Sequence, residues 1–207
     1  MTDNAAMVAP PIRRPAVPPR SGTAAGRIRI IGGHWRGTRL PVPDLPGLRP
    51  TPDRVRETLF NWLAPHLPGS ACLDLFAGSG ALGLEAASRG AARSVLVERE
   101  RQAAQALRDA VHRLQAQARV EIVHGDALAW LAAADGRRFD IAFVDPPFAQ
   151  ALWQPALDAL APRLAAQCLL YVETPPGTDL ILPPGLQPFR EGHTRDTHYR
   201  LLRRDRA

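Results

Sequence analysis

The chain has 207 residues, 45% of them hydrophobic, enough for one substantial core with at most a small appendage and not for two large domains. No run of eighteen apolar residues occurs and the N-terminus has no apolar segment, so neither a transmembrane helix nor a secretory leader is expected. All 26 basic residues are arginine, the net charge is +6, and residues 1–56 hold ten arginines against three acids while residues 57–207 hold sixteen against seventeen; a near-neutral body with a basic front end points to a polyanionic partner docked there.

Residues 1–26, rich in Pro, Ala, Gly and Arg without periodicity, read as a disordered tail. RIRIIGGHWRGTRLPV, residues 27–42, alternates polar and apolar on either side of Gly32-Gly33, which predicts a β-hairpin with a glycine turn. Its arginines Arg27, Arg29, Arg36 and Arg39, with Trp35 between them, offer phosphate-binding charge and a stacking surface; Trp35 could equally anchor the hairpin to the core. In LRPTPDRVRETLFNWL, residues 48–63, Thr51 suits an N-cap and Pro52 the first helical position. Val55, Leu59, Trp62 and Leu63 form the apolar stripe, and Arg54, Glu57 and Asn61 the opposite, polar face.

From residue 70 short apolar runs (ACLDLFAG, SVLVE, RVEIVHG, FDIAFVD, CLLYVET) alternate with helical stretches at 80–89, 100–117, 127–134 and 150–165, the signature of a doubly wound parallel sheet. LQPFREGHTRDTHYRLLRR, residues 186–204, reads as two further strands about a turn at Gly192, closing one edge as an antiparallel pair. The expected fold is α/β: a seven-stranded Rossmann-like sheet, mostly parallel, over residues 67–207, preceded by a hairpin-and-helix extension over residues 27–66. Cys72 and Cys168 lie far apart inside apolar runs, which fits a reduced, cytoplasmic protein with two core thiols and no disulfide or zinc site. The histidines show no metal-ligand spacing.

DLFAGSGALG contains Gly78, Gly80 and Gly83 as G-x-G-x-x-G, with Glu98 twenty residues after the first glycine, which read literally is the dinucleotide fingerprint. In an α/β sheet ligands bind beyond the C-terminal strand ends, and four runs end there in acids: Asp74, Glu98, Asp126 and Asp145. Asp74 would oppose a pyrophosphate, since two like charges at ~4 Å repel by about 1 kcal/mol even in water. S-adenosylmethionine carries an ammonium and a sulfonium and no phosphate, and suits such a rim. The fourth run ends in Asp145-Pro146-Pro147-Phe148. Two prolines make this exit stiff and poor in amide donors, leaving an acceptor corner of the Asp145 carboxylate and the Pro146 carbonyl. That corner suits an exocyclic amine, and Phe148 can stack on the heterocycle bearing it.

These motifs, with Gly125-Asp126-Ala127, resemble the class I S-adenosylmethionine-dependent amino-methyltransferases. RIIGGHWRG, LRPTPDRVRETLFNWL, CLDLFAGSGALGLEA and FVDPPF more closely resemble the bacterial 16S rRNA guanine-N2-methyltransferases of the RsmD family, from about Arg27 to Arg203. The resemblance implies methyl transfer to a guanine N2 amine of 16S rRNA, within a small ribosomal subunit or an assembly intermediate, by a monomer that needs no metal. It assigns Asp145, Pro146, Pro147 and Phe148 to the catalytic corner. Asp74, Phe76, Gly78 and Gly80 would border the methionine part of the cofactor, Glu98 would hold the ribose, and Asp126 with Ala127 the adenine. Arg27, Arg29, Trp35, Arg36, Arg39, Arg49 and Arg54 would contact RNA. A DNA adenine or cytosine amino-methyltransferase, and a non-catalytic ribosome-assembly factor on the same fold, are the alternatives.

Overall fold

The computed structural model describes residues 26–43, 45, 51–133 and 136–205; the tail up to residue 25 and Arg49 lie outside the described residues. Strands β1 (Arg27–Arg29) and β2 (Arg39–Pro41) form a two-stranded antiparallel sheet, followed by helix α1 (Asp53–Leu63). The main body alternates β3 (Ala71–Asp74), α2 (Ala81–Ser88), β4 (Arg93–Glu98), α3 (Arg101–Arg113), β5 (Val120–His124), α4 (Ala127–Ala132), β6 (Phe139–Val144), α5 (Trp153–Leu160) and β7 (Leu164–Thr174). It ends in β8 (Gln187–His193) and β9 (His198–Arg204). The seven strands lie in the order β5-β4-β3-β6-β7-β9-β8, with β9 antiparallel to both neighbours and the rest parallel. The doubly wound sheet with an antiparallel edge is thus present, and its order reverses between β3 and β6, where such folds open a crevice.

Alternation along the strands sorts the core. Leu73, Ala142, Val144, Leu170, Val172 and Leu202 face one side, where they pack with α5 residues Trp153, Ala156, Leu157 and Leu160. Cys72, Ile141, Phe143, Leu169, Tyr171 and Leu201 face the other, against Val55, Leu59, Phe60 and Leu63 of α1. Both thiols are buried and free, and burial pushes the Cys72 thiol up to about 12, so it stays protonated. Ile28 and Leu40 of the hairpin join a third cluster with α2 and α3. Among the described residues no helix is long and apolar enough to cross a membrane.

Five local expectations are corrected. The hairpin does not turn at Gly32-Gly33: Arg29 pairs with Arg39, and residues 30–38 form a wide loop closed by Ile30 N–H to Thr38 C=O at 2.9 Å. Gly33, at φ +75°, lies so close to α2 that a Cβ would fall 1.9 Å from the Ser88 carbonyl oxygen. Thr51 does not cap α1; Pro52 stands at the N-cap in an extended conformation and α1 begins at Asp53. The third helix stops at Arg113 and not at 117, the chain turning at Gln115 with φ +54°. The last helix spans Trp153–Leu160, not 150–165, because a tight turn at Ala161–Arg163 containing Pro162 leads into β7. The C-terminal turn is at Thr194–Thr197; Gly192 lies inside β8, where a Cβ would sit 2.3 Å from the Tyr199 ring.

One buried carboxylate fastens the N-terminal elements to the sheet. Glu85 of α2, without solvent exposure, accepts the backbone N–H groups of Ile31 at 2.7 Å and Gly32 at 2.8 Å, and Arg89 Nε at 2.7 Å. Arg56 of α1, only 1% exposed, approaches it at 3.8 Å while donating to the carbonyls of Arg29 and Thr51 and to Asp53. Removing one partner of a buried ion pair strands the other charge. Glu85→Ala should therefore lower unfolding free energy by about 3 kcal/mol or more, read by denaturant titration; a loss within error would show that the node is not a structural anchor.

Candidate active site

A cleft of about 630 Å³ opens above the C-terminal ends of β3, β4, β6 and β7, at the reversal of strand order. Asp74, Phe76, Gly78, Glu98, Asp126, Ala127, Asp145, Pro146, Pro147 and Phe148 all line it. Gly80 does not: at φ +75° it stands at the N-cap of α2, and the space for its Cβ is occupied by Leu84 and Leu107. Gly83 lies within α2, close against Leu96 and Asp74, so its role is helix-on-sheet packing.

Local structure fixes each acid. Asp74, 3% exposed at the end of β3, accepts the Gly83 N–H at 2.8 Å. Burial, against that hydrogen bond and with the nearby Glu98 charge, pushes its carboxyl up to about 7. Glu98, at the end of β4, accepts the N–H of Gly78 through Oε2 at 2.7 Å and that of Glu100 through Oε1 at 2.6 Å. It therefore shapes the glycine turn from below. Asp126 caps α4, its Oδ1 accepting from Leu128 and Ala129.

Asp145 follows β6. Its Oδ2 accepts a long hydrogen bond, 3.4 Å, from the Thr51 hydroxyl, so the residue expected to cap α1 instead reaches the cleft. Burial, then Glu173, then Asp74 raise the Asp145 carboxyl well above the usual carboxylate range. Phe148 is 40% exposed, an uncommon position for a large apolar ring, and leans on Trp153 with centroids 5.7 Å apart.

Glu173 lies outside the acids expected from the sequence, although CLLYVET is a fifth apolar run with an acid as its last residue but one. It lines the cleft at the end of β7, 5% exposed, as do Thr194–Thr197 of the β8–β9 turn. The turn has no local signature and reaches the cleft only because β9 pairs with β7.

Among the described residues, none of those expected to contact RNA lines the cleft. Arg27, Arg29 and Arg39 are exposed on the outer face of the β1–β2 ribbon, Ile28 and Leu40 facing inward. Arg29 lies 3.5 Å from Asp53, and Arg36 and Arg54 are exposed. Trp35 packs partly against the third cluster while its backbone N–H donates to Ser88 Oγ at 3.0 Å, an anchoring role.

Residues 28–203 match the family model described as Conserved hypothetical protein 95. The Escherichia coli K12 protein named ribosomal RNA small subunit methyltransferase D is 47% identical over 186 residues, covering 88% of this chain and 93% of its own. The chain belongs to the ribosomal RNA small subunit methyltransferase D family. A Haemophilus influenzae member of the same name is 41% identical, with 86% of this chain and 94% of its own covered. A solved Escherichia coli structure, described as the candidate methyltransferase yhhF, superposes with a TM-score of 0.79 at 46% identity, over 88% of this chain and all of its own.

The acids of this family member should be visible in its pH stability profile. A carboxyl raised from 3.8 to about 7 on folding binds more protons in the native state between those values, so stability falls as pH rises through that window. Asp145, also raised, acts in the same direction. Asp74→Asn, which retains an acceptor for Gly83, should flatten the dependence of the urea midpoint on pH between about 4 and 7; an unchanged slope would contradict the assignment.

Proposed function

We propose that the protein transfers a methyl group from S-adenosylmethionine to the exocyclic N2 amine of a guanine in 16S rRNA, acting as a cytoplasmic monomer on the small ribosomal subunit or an assembly intermediate. The observation that carries this reading is the Asp145–Phe148 corner: a carboxylate, a proline carbonyl and an exposed ring on one cleft whose rim also holds Asp74, Glu98 and Asp126. The names of the relatives agree with it.

The residues present fit the cofactor. A buried carboxylate pushed up to about 7, with like charges nearby, gains from a cationic ligand, as the ammonium of S-adenosylmethionine would provide at Asp74. Glu98, whose oxygens each retain a further lone pair, would hold the ribose hydroxyls, and Asp126 with Ala127 would meet the adenine. Gly78, at φ +53°, keeps the turn beside the methionine part compact, next to Phe76. When bound, the cofactor supplies an electrophilic methyl group on a positive sulfur.

The chain's own residues supply position and polarity. The N2 amine is a poor nucleophile because its lone pair is delocalised into the ring. Asp145 and the Pro146 carbonyl accept its two N–H groups and turn the lone pair out of conjugation, toward the methyl. Holding reactants in near-attack geometry can lower a barrier by about 7–11 kcal/mol at best. Phe148 stacks on the extruded base, while Pro147 keeps the corner stiff. The exposed arginines of the hairpin and α1, together with Arg49, hold phosphates and give salt-dependent affinity.

Incubation with labelled S-adenosylmethionine and 16S rRNA, small subunits or duplex DNA, followed by nucleoside analysis, should yield N2-methylguanosine from the ribosomal substrates; transfer only to DNA, or no cofactor binding by calorimetry, would overturn the reading. Asp145→Ala should reduce kcat/KM by about 100-fold or more while leaving most RNA affinity. Arg36→Ala should do the reverse, weakening RNA binding and reducing the salt slope by about one. Equal loss of cofactor binding in both variants would refute this division of roles.

A further inference from the structure

Glu173 has no part in the mechanism above, yet it is a buried carboxylate at the acceptor end of the cleft. Val144 pairs with Val172 in the parallel β6–β7 ladder, so Asp145, just past the end of β6, stands beside Glu173, the last residue but one of β7. Glu173 is held from the sheet side. Tyr171 donates its hydroxyl to Glu173 Oε2 at 2.9 Å, and the Trp153 indole N–H donates to the Glu173 carbonyl at 2.7 Å. The same Trp153 supports the Phe148 ring, so the stacking surface and the Glu173 backbone share one anchor.

An ionised carboxylate only accepts hydrogen bonds, and a neighbouring carboxyl group adds a further acceptor oxygen beside it. Among the RNA bases only guanine offers two adjacent donor groups on its pairing edge, N1–H and the N2 amine. Adenine and cytosine place a bare ring nitrogen beside their amine, and uracil flanks its single N–H with carbonyls. A carboxylate facing a bare ring nitrogen leaves two lone pairs opposed. We propose that Glu173 is the specificity-determining residue for guanine, accepting N1–H while Asp145 and the Pro146 carbonyl hold the N2 amine. This inference rests on the guanine-N2 reading of the site.

The test compares ribosomal substrates identical except for guanine or 2,6-diaminopurine at the methylated position. Both bases carry the 2-amino group, but diaminopurine has an acceptor at N1 where guanine has a donor. The unaltered protein should prefer guanine by about 100-fold in kcat/KM, because mismatched buried polar groups discriminate strongly. Glu173→Gln presents an amide N–H that can donate to N1, and should cut that preference at least about tenfold or invert it. Its affinity for S-adenosylmethionine should stay unchanged by calorimetry. Glu173→Asp, still acceptor-only, should act more slowly but keep the preference for guanine.

A merely structural partner for Tyr171 would not move base preference, so an identical preference in the Gln variant overturns the assignment. Indifference of the unaltered protein to the two bases overturns it without any variant, whatever the stability of Glu173→Gln. Failure of the unaltered protein to methylate either base, on substrates where it methylates DNA or another nucleotide, removes the functional reading and this inference with it.

Discussion

Glu85 is buried on α2 and carries a charge that the surrounding apolar side chains cannot solvate. Everything that compensates it comes from elsewhere in the chain: two backbone amides from the hairpin loop, Arg89 one helical turn onward, and Arg56 from α1. Buried ion pairs contribute little net stability relative to apolar replacements, but a broken one is costly, so they suit registration better than adhesion. Here the registered parts are the hairpin that presents the arginines and the helix α1, whose preceding residues Thr51 and Pro52 line the cleft. Arg56 binds the carbonyls of both Arg29 and Thr51, and Thr51 reaches Asp145. A continuous set of polar contacts thus runs from the basic ribbon to Asp145 in the cleft.

The cleft itself is held in electrostatic tension. Parallel strands bring their C-terminal ends to one rim, and in this chain those ends are acidic, so Asp74, Glu98, Asp145 and Glu173 gather there, and burial disfavours the charged forms of Asp74 and Asp145. Backbone amides relieve part of the strain at Asp74 and Glu98, and a hydroxyl relieves a little at Asp145. The remainder favours ligands that bring positive charge or N–H donors, which is what a sulfonium cofactor and an amino-bearing base supply. A site arranged this way gives up stability near neutral pH in return for affinity, the usual relation between function and strain in an enzyme.

The glycine fingerprint fits the same physics. Gly78 takes a positive φ and its amide meets Glu98, while Gly80 and Gly83 serve the packing of α2 against Leu107 and Leu96. The pattern encodes a tight turn and a close helix. It does not encode a pyrophosphate, and the acid four residues before the first glycine decides against one.

The sequence by itself determined the strands, the helices and their alternation, because side-chain periodicity of two or 3.6 residues is a local property. It also determined the Asp145–Phe148 corner and the acids at 74, 98 and 126, since these sit at the ends of recognisable apolar runs. Element ends were less legible: Gln115 and Pro162 stop helices early, and Gly192 serves Tyr199 across a ladder and not a turn. Only the tertiary structure decided that Thr51 serves Asp145 and not α1, that Glu85 ties hairpin to helix, and that Glu173 stands beside Asp145. Those contacts join residues 94, 53 and 28 positions apart in the chain. Strand order and register, set by burial on both faces of the sheet, bring them together, and no local pattern carries that information.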